Sequence, residues 1–117
     1  MKALTFKRYG KSPEIGFADV PRPTLKGDEL LVKVHAVGLN PIDNMIPTGL
    51  FKAVVRFELP ATLGSDLAGI VTEVGSRVTR FTPGDAVFAS LFDLGNGSLA
   101  EFAVVPESAA ALKPSKL

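Results

Sequence analysis

Proline and glycine interrupt this chain before any apolar run can grow long. Eleven Gly and nine Pro are spread through 117 residues. Proline has no N–H to give a central strand or a helix interior, and glycine weakens both. Their spread therefore favours short elements joined by turns. Val20-Pro21-Arg22-Pro23 reads as an extended connection and Lys26-Gly27-Asp28 as a turn. Thr82-Pro83-Gly84-Asp85 has the order of a type II turn, with glycine taking the positive φ. Between these signals lie strand-like runs: Ala3 to Phe6, Ile15 to Val20, Glu29 to Gly38, Ala68 to Gly75, Asp85 to Ala89, Leu99 to Val105 and Ala109 to Leu112. Some seven short strands with one or two short helices predict an all-β barrel or sandwich with helical insertions. Apolar residues make up 46%, enough for one core, and the length suits one domain over 1–117.

Charge and cysteine content remove several functions. The net charge is +1 and the basic residues are scattered, so nothing favours nucleic acid or an anionic membrane as partner. No cysteine is present, which excludes disulfides and thiolate metal sites, and a single histidine excludes a multi-histidine zinc site. No stretch approaches the roughly 20 apolar residues of a membrane span. Met1 to Arg8 has no apolar run of the signal-peptide kind, and the expectation is a soluble cytoplasmic protein.

Glu29 to Gly38 is the clearest strand. Leu30, Val32, Val34 and Ala36 are expected on one face, and Leu31, Lys33, His35 and Val37 on the other. His35 shares its face with Lys33, so it is expected to meet solvent in a structural role. A polar cluster follows. Asn40 reads as an N-cap with Pro41 at the first helical position, and a short helix is expected from Pro41 to about Ile46, stopped by Pro47 and Gly49. Asp43 would sit in its first turn, where a carboxylate suits the helix dipole. These residues read either as a capped helix start or as chemistry. Gly64-Ser65-Asp66 again sets polar groups in an apolar context, either a satisfied turn before a strand or a pocket lining. Leu50 to Leu59 has no clean period and reads as a short helix or a lid. Gly95-Asn96-Gly97-Ser98-Leu99-Ala100 fits the dinucleotide fingerprint formally. It runs on into strand-like sequence, with no acidic residue at the needed distance, so its glycines read as loop or hairpin residues.

Several stretches together resemble the medium-chain dehydrogenase/reductase superfamily. They are Glu29 to Val34 with Gly38-Leu39-Asn40-Pro41-Ile42-Asp43, Leu63 to Gly69 with Val74-Gly75, Pro83-Gly84-Asp85-Ala86-Val87, Ser98 to Phe102, and Leu112-Lys113-Pro114. The chain looks most like the zinc-free quinone oxidoreductases and related enone reductases. The resemblance implies a mainly β fold, a GroES-like partly open β-barrel with one or two short helices. It also implies a Rossmann domain that this chain does not contain, which would carry NADPH, and a homodimer for the full-length protein. The lone domain would be inactive and, with sheet edges exposed, prone to self-association.

In zinc-dependent members a cysteine stands where Asn40 is, and a histidine where Ser65 is. An amide and a hydroxyl do not replace those ligands, so no metal is expected. The resemblance implies hydride transfer from NADPH to a quinone or enone. Asn40 and Ser65 would then be hydrogen-bond donors to the charge that builds on the substrate oxygen, and Asp43 would hold a water or the nicotinamide end. Asn40, Pro41, Ile42 and Asp43 would border the cofactor. Met45 and Phe51 stand where relatives often carry tyrosine and would form an apolar pocket wall. Phe92 and Leu94 read equally as wall or core, and Asp66 as pocket or turn. The alternative from another class is a non-enzymatic GroES-like module with a structural or oligomer-forming role.

Overall fold

The turn expected at Thr82–Asp85 forms as its sequence dictates. Gly84 has φ +98°, and the Asp85 N–H donates to the Thr82 carbonyl at 3.1 Å. The structure is a computed structural model that describes residues 1–10, 15–40, 43, 45–48, 61–91 and 97–114. The expectations placed on Pro41, Ile42, Phe51, Phe92, Leu94, Gly95 and the 50–59 lid lie outside those residues.

Among the described residues there are eight strands: β1 (Lys2–Phe6), β2 (Ile15–Asp19), β3 (Glu29–Ala36), β4 (Ala61–Thr62), β5 (Asp66–Val74), β6 (Ala86–Ser90), β7 (Phe102–Pro106) and β8 (Ala110–Leu112). They form a three-stranded sheet in the order β2-β1-β4 and a five-stranded sheet in the order β7-β3-β5-β6-β8. Every pairing is antiparallel. The segment before β7 stitches the two sheets together. Ala100 bridges to Ala3, the Leu4 N–H donates to the Leu99 carbonyl at 2.8 Å, and the Leu99 N–H to the Leu63 carbonyl at 2.9 Å. The result is the mainly β, partly open GroES-like barrel that the resemblance implied.

Several boundaries differ from the sequence reading. Leu99 to Glu101 does not join β7: Leu99 and the Glu101 N–H bond to β1 and to Leu63, and only the Glu101 carbonyl accepts from β3, from the Val34 N–H at 3.0 Å. Ala109 belongs to a 3-10 turn (Glu107–Ala109) instead of the last strand. That turn is pinned by the Glu107 carboxylate, which accepts from the Thr79 and Arg80 N–H groups at 2.9 and 2.8 Å. The α-helical state of Asp43 and Met45 ends at about Ile46, as expected, but a 3-10 turn (Ile46–Thr48) carries on through Pro47. The faces expected for β3 are kept, with Leu30 and Val32 in one apolar cluster and Val34 packed against it, but Leu31, outside that cluster, is buried too. Register shifts fall between Leu31 and Val32 and between Val34 and Ala36. His35 and Lys33 are exposed, as their shared polarity suggested.

Two apolar clusters fill the interior. The larger joins Leu30, Val32, Leu67, Val71, Phe81, Val87, Leu91 and Val105 between the strands of the five-stranded sheet. The smaller joins Phe6, Ile46, Ala61 and Leu63, with Tyr9 edge-on to Phe6 at 5.5 Å between ring centroids. The chain passes from one cluster to the other along Leu63-Gly64-Ser65-Asp66-Leu67. The candidate site lies at that junction.

Candidate functional site

Leu63, Ser65 and Leu67 alternate as buried residues, with half-exposed residues between them. The alternation, which runs through the link between β4 and β5, places a serine where an apolar side chain would ordinarily sit. Ser65 is only 3% exposed, and a hydroxyl buried that deeply needs a partner. It finds one in Asp43, donating from Oγ to Oδ1 at 3.1 Å. Asp43 is itself buried, on the helical turn whose next buried residues are Ile46 and Pro47. The i, i+3 spacing puts Asp43 and Ile46 on one face, so packing of Ile46 in the smaller cluster carries Asp43 inward.

The second Asp43 oxygen is also used. Oδ2 accepts the Asn40 backbone N–H at 2.8 Å, and the Asp43 N–H donates back to the Asn40 carbonyl at 2.9 Å. This is the reciprocal pattern of a helix start, but the capping side chain is Asp43. The expectation that Asn40 caps the turn is corrected in that respect, because its side chain is turned the other way. Asn40 Nδ2 donates to Asp66 Oδ2 at 2.7 Å. The sheet register explains the meeting. Ala36 pairs with Ala68, so two residues further along each strand Gly38 faces Asp66, and Asn40 leaves the strand end beside the Asp66 carboxylate. Gly38 brings no bulk to that approach; a Cβ there would lie 3.7 Å from Asp66 Oδ2.

The two polar stretches are thus one hydrogen-bonded chain, Ser65 to Asp43 to Asn40 to Asp66. Two carboxylates hold an amide and a hydroxyl between them. The two N–H bonds to carboxylates, at 2.7 and 2.8 Å, are in the short charge-assisted range, and the 3.1 Å bond from Ser65 is longer. Ser65, expected as a donor to substrate oxygen, here gives its one hydrogen to Asp43. Asn40 gives one of its two amide hydrogens to Asp66. Met45, placed in the pocket wall by the sequence reading, is 41% exposed and carries no part of this chain of bonds. Among the described residues no three His, Cys, Asp or Glu side chains come together as a metal site.

Two residues behind the cluster, Gly64 and Ser98, lie in stretches the sequence marked but were given no role at the site. Gly64 has φ +96°, a left-handed conformation that L side chains resist, and a Cβ on it would strike Ser98 Oγ. Gly64 therefore aims Ser65 inward through both its backbone and its lack of bulk. Ser98 is fully buried, and its Oγ has no hydrogen-bond partner among the described residues. Nothing local in Gly97-Ser98-Leu99 signals that burial, which depends on how closely the segment lies against residues 62–64.

An antiparallel, partly open barrel with a buried polar cluster where its two cores meet is a GroES-like domain of the dehydrogenase type. The chain belongs to the alcohol dehydrogenase GroES-like domain family, which it matches over residues 26–115. It is 39% identical to a chloroplast envelope quinone oxidoreductase homolog of Arabidopsis thaliana, over all of this chain and 36% of that protein. It is 37% identical to a chloroplastic NADPH-dependent alkenal/one oxidoreductase of the same plant, over all of this chain and 32% of that protein. A mitochondrial NAD(P)H oxidoreductase of Dictyostelium discoideum is 31% identical, with 100% of this chain and 34% of that protein covered. Among solved structures, an alcohol dehydrogenase superfamily protein from Novosphingobium aromaticivorans superposes with TM-score 0.88 at 35% identity, covering 100% of this chain and 35% of that one. The Escherichia coli quinone oxidoreductase, solved with NADPH, superposes with TM-score 0.87 at 26% identity, covering 100% of this chain and 34% of that one. The chain spans about a third of the length of the curated relatives it matches.

These relatives overturn the cytoplasmic expectation, since their names place them in chloroplast or mitochondrion. The expectation rested on the lack of an apolar leader and of a membrane-spanning run. Neither decides the compartment, because organellar transit segments are amphipathic and not apolar runs.

Proposed function

We propose that this chain is the catalytic domain of a zinc-independent oxidoreductase that uses NADPH to reduce a quinone or an α,β-unsaturated carbonyl. The observation that carries the reading is the 3.1 Å bond from Ser65 to Asp43, which joins the two stretches that the resemblance assigns to one pocket. Family membership and the quinone and alkenal/one oxidoreductases among the relatives support it.

NADPH, when bound, supplies the hydride. The residues of this chain orient and stabilise. The amide hydrogen of Asn40 that Asp66 leaves untouched is the donor that meets charge building on the substrate oxygen. Asp43 holds that loop in place by receiving the Asn40 backbone N–H, and Ser65 locks Asp43 from behind. The amide edge of Asn40 and its neighbours Pro41 and Ile42 suit the uncharged nicotinamide end of the cofactor. They do not suit zinc, for the chain has no thiolate to offer and the amide and hydroxyl are neutral ligands. Affinity for the rest of the cofactor is assigned to sequence beyond the third of the relatives that this chain matches.

The test is a chimera in which this chain replaces the corresponding third of a matched quinone oxidoreductase. The chimera should oxidise NADPH with a quinone or an enone, whereas the 117-residue chain alone should show no turnover. A chimera that folds and binds NADPH yet reduces neither substrate would defeat the reading. Micromolar NADPH binding by the chain alone would defeat the assignment of cofactor affinity elsewhere.

A further inference from the structure

Asp66 takes no part in the joint between Ser65 and Asp43, yet its carboxylate lies 2.7 Å from the Asn40 side-chain nitrogen. An amide side chain has two faces of opposite polarity, an oxygen that accepts and an NH2 that donates. An ionised carboxylate only accepts. A carboxylate at that distance therefore fixes which way the amide is turned. The backbone of Asn40 is held separately, by Asp43, so its main chain does not depend on Asp66.

We propose that Asp66 is a positioning residue that sets the polarity of the Asn40 amide toward the ligand. With Nδ2 held by Asp66, Asn40 offers the ligand one N–H and its carbonyl oxygen. Without Asp66 the amide is free to turn and present two N–H groups, or its oxygen alone. The one-donor, one-acceptor edge fits a ligand oxygen that begins the reaction as a carbonyl acceptor and ends it as a hydroxyl donor. That fit rests on the functional reading above; the orientation of the amide does not.

Nuclear magnetic resonance of the 15N-labelled 117-residue chain tests the orientation directly. In the wild type, one Asn40 Nδ2 proton should be displaced downfield by the carboxylate and well separated from its twin. Asp66→Asn keeps the size but can itself donate, so the downfield displacement should be lost while the Asn40 backbone N–H, bound to Asp43, keeps its shift. Asp66→Glu retains a carboxylate and should retain a downfield side-chain proton. A wild type without the displaced proton would overturn the proposal, and that result needs no variant to fold. So would side-chain shifts identical in wild type and Asp66→Asn, or a backbone shift as large as the side-chain one, which would mark Asp66 as merely structural. In the chimera, Asp66→Asn should lower kcat about tenfold with the NADPH Kd unchanged, less than removal of Asn40 would, because the donor stays but is no longer oriented. A chimera without turnover defeats the functional reading alone and leaves the resonance result standing.

Discussion

Removing the Asp43 carboxylate perturbs both halves of the cluster at once, and the cost can be worked from its two bonds. Asp43→Ala deletes the acceptor of the Ser65 hydroxyl at 3.1 Å and of the Asn40 N–H at 2.8 Å. Bonds to a charged group contribute about 1.5–3 kcal/mol each. Ser65 is almost fully buried and cannot turn to water, so its share is kept at about 2 kcal/mol. Asn40 is half-exposed, so water recovers part of its share and leaves about 1 kcal/mol. The expected loss is about 3 kcal/mol, or about 12 °C in Tm for a domain of this size. Urea denaturation followed by circular dichroism reads it. The Asp43→Ala/Ser65→Ala double variant supplies the control. It removes the stranded hydroxyl along with its partner, so it should be no less stable than Asp43→Ala, with a coupling of about 1–2 kcal/mol. If Asp43→Ala lies within about 0.5 kcal/mol of wild type, the two stretches are not joined through this carboxylate.

Gly64→Ala forces a side chain into a left-handed conformation, at about 1–2 kcal/mol, and drives its methyl into Ser98, at about 1–3 kcal/mol more. A total loss near 3 kcal/mol is expected in the same denaturation assay, and a change below about 0.5 kcal/mol would show that the backbone relaxes freely. Ser98→Ala removes a buried hydroxyl that has no partner among the described residues, and should raise stability by about 1 kcal/mol. A loss of that size would mean the hydroxyl is bonded in solution.

The sequence carried the fold further than it carried the site. Periodicity and turn chemistry are local, so β3, β5 and the Pro83-Gly84 turn could be read from their own residues. β4, with only Ala61 and Thr62, is too short for any period, and it exists because β1 supplies its partner. Leu99 looked like strand by composition, but the competition for its backbone groups was decided by distant carbonyls. The site shows the same division. That Asn40, Asp43, Ser65 and Asp66 belong together followed from family-like stretches, and the Ala36–Ala68 register supplies the physical reason. The direction of each hydrogen bond was not legible. Ser65 was expected to donate to a substrate; the structure shows its buried hydroxyl donating to Asp43. Asn40 was expected to cap the turn with its side chain, but the Asp43 N–H that such a cap would take is given to the Asn40 carbonyl, and the amide is turned to Asp66. Neither choice follows from residue type, since amides, hydroxyls and carboxylates each have several partners within reach in a turn.

Asn40→Ala in the chimera tests the central claim most directly, with single-turnover hydride transfer to a quinone measured beside NADPH binding. Loss of the one donor assigned to the substrate oxygen should lower the rate of transfer about 10²-fold and leave the NADPH Kd within about twofold. An unchanged rate with weakened NADPH binding would contradict the account, reducing Asn40 to a cofactor contact and leaving the charge on the substrate oxygen to be met elsewhere.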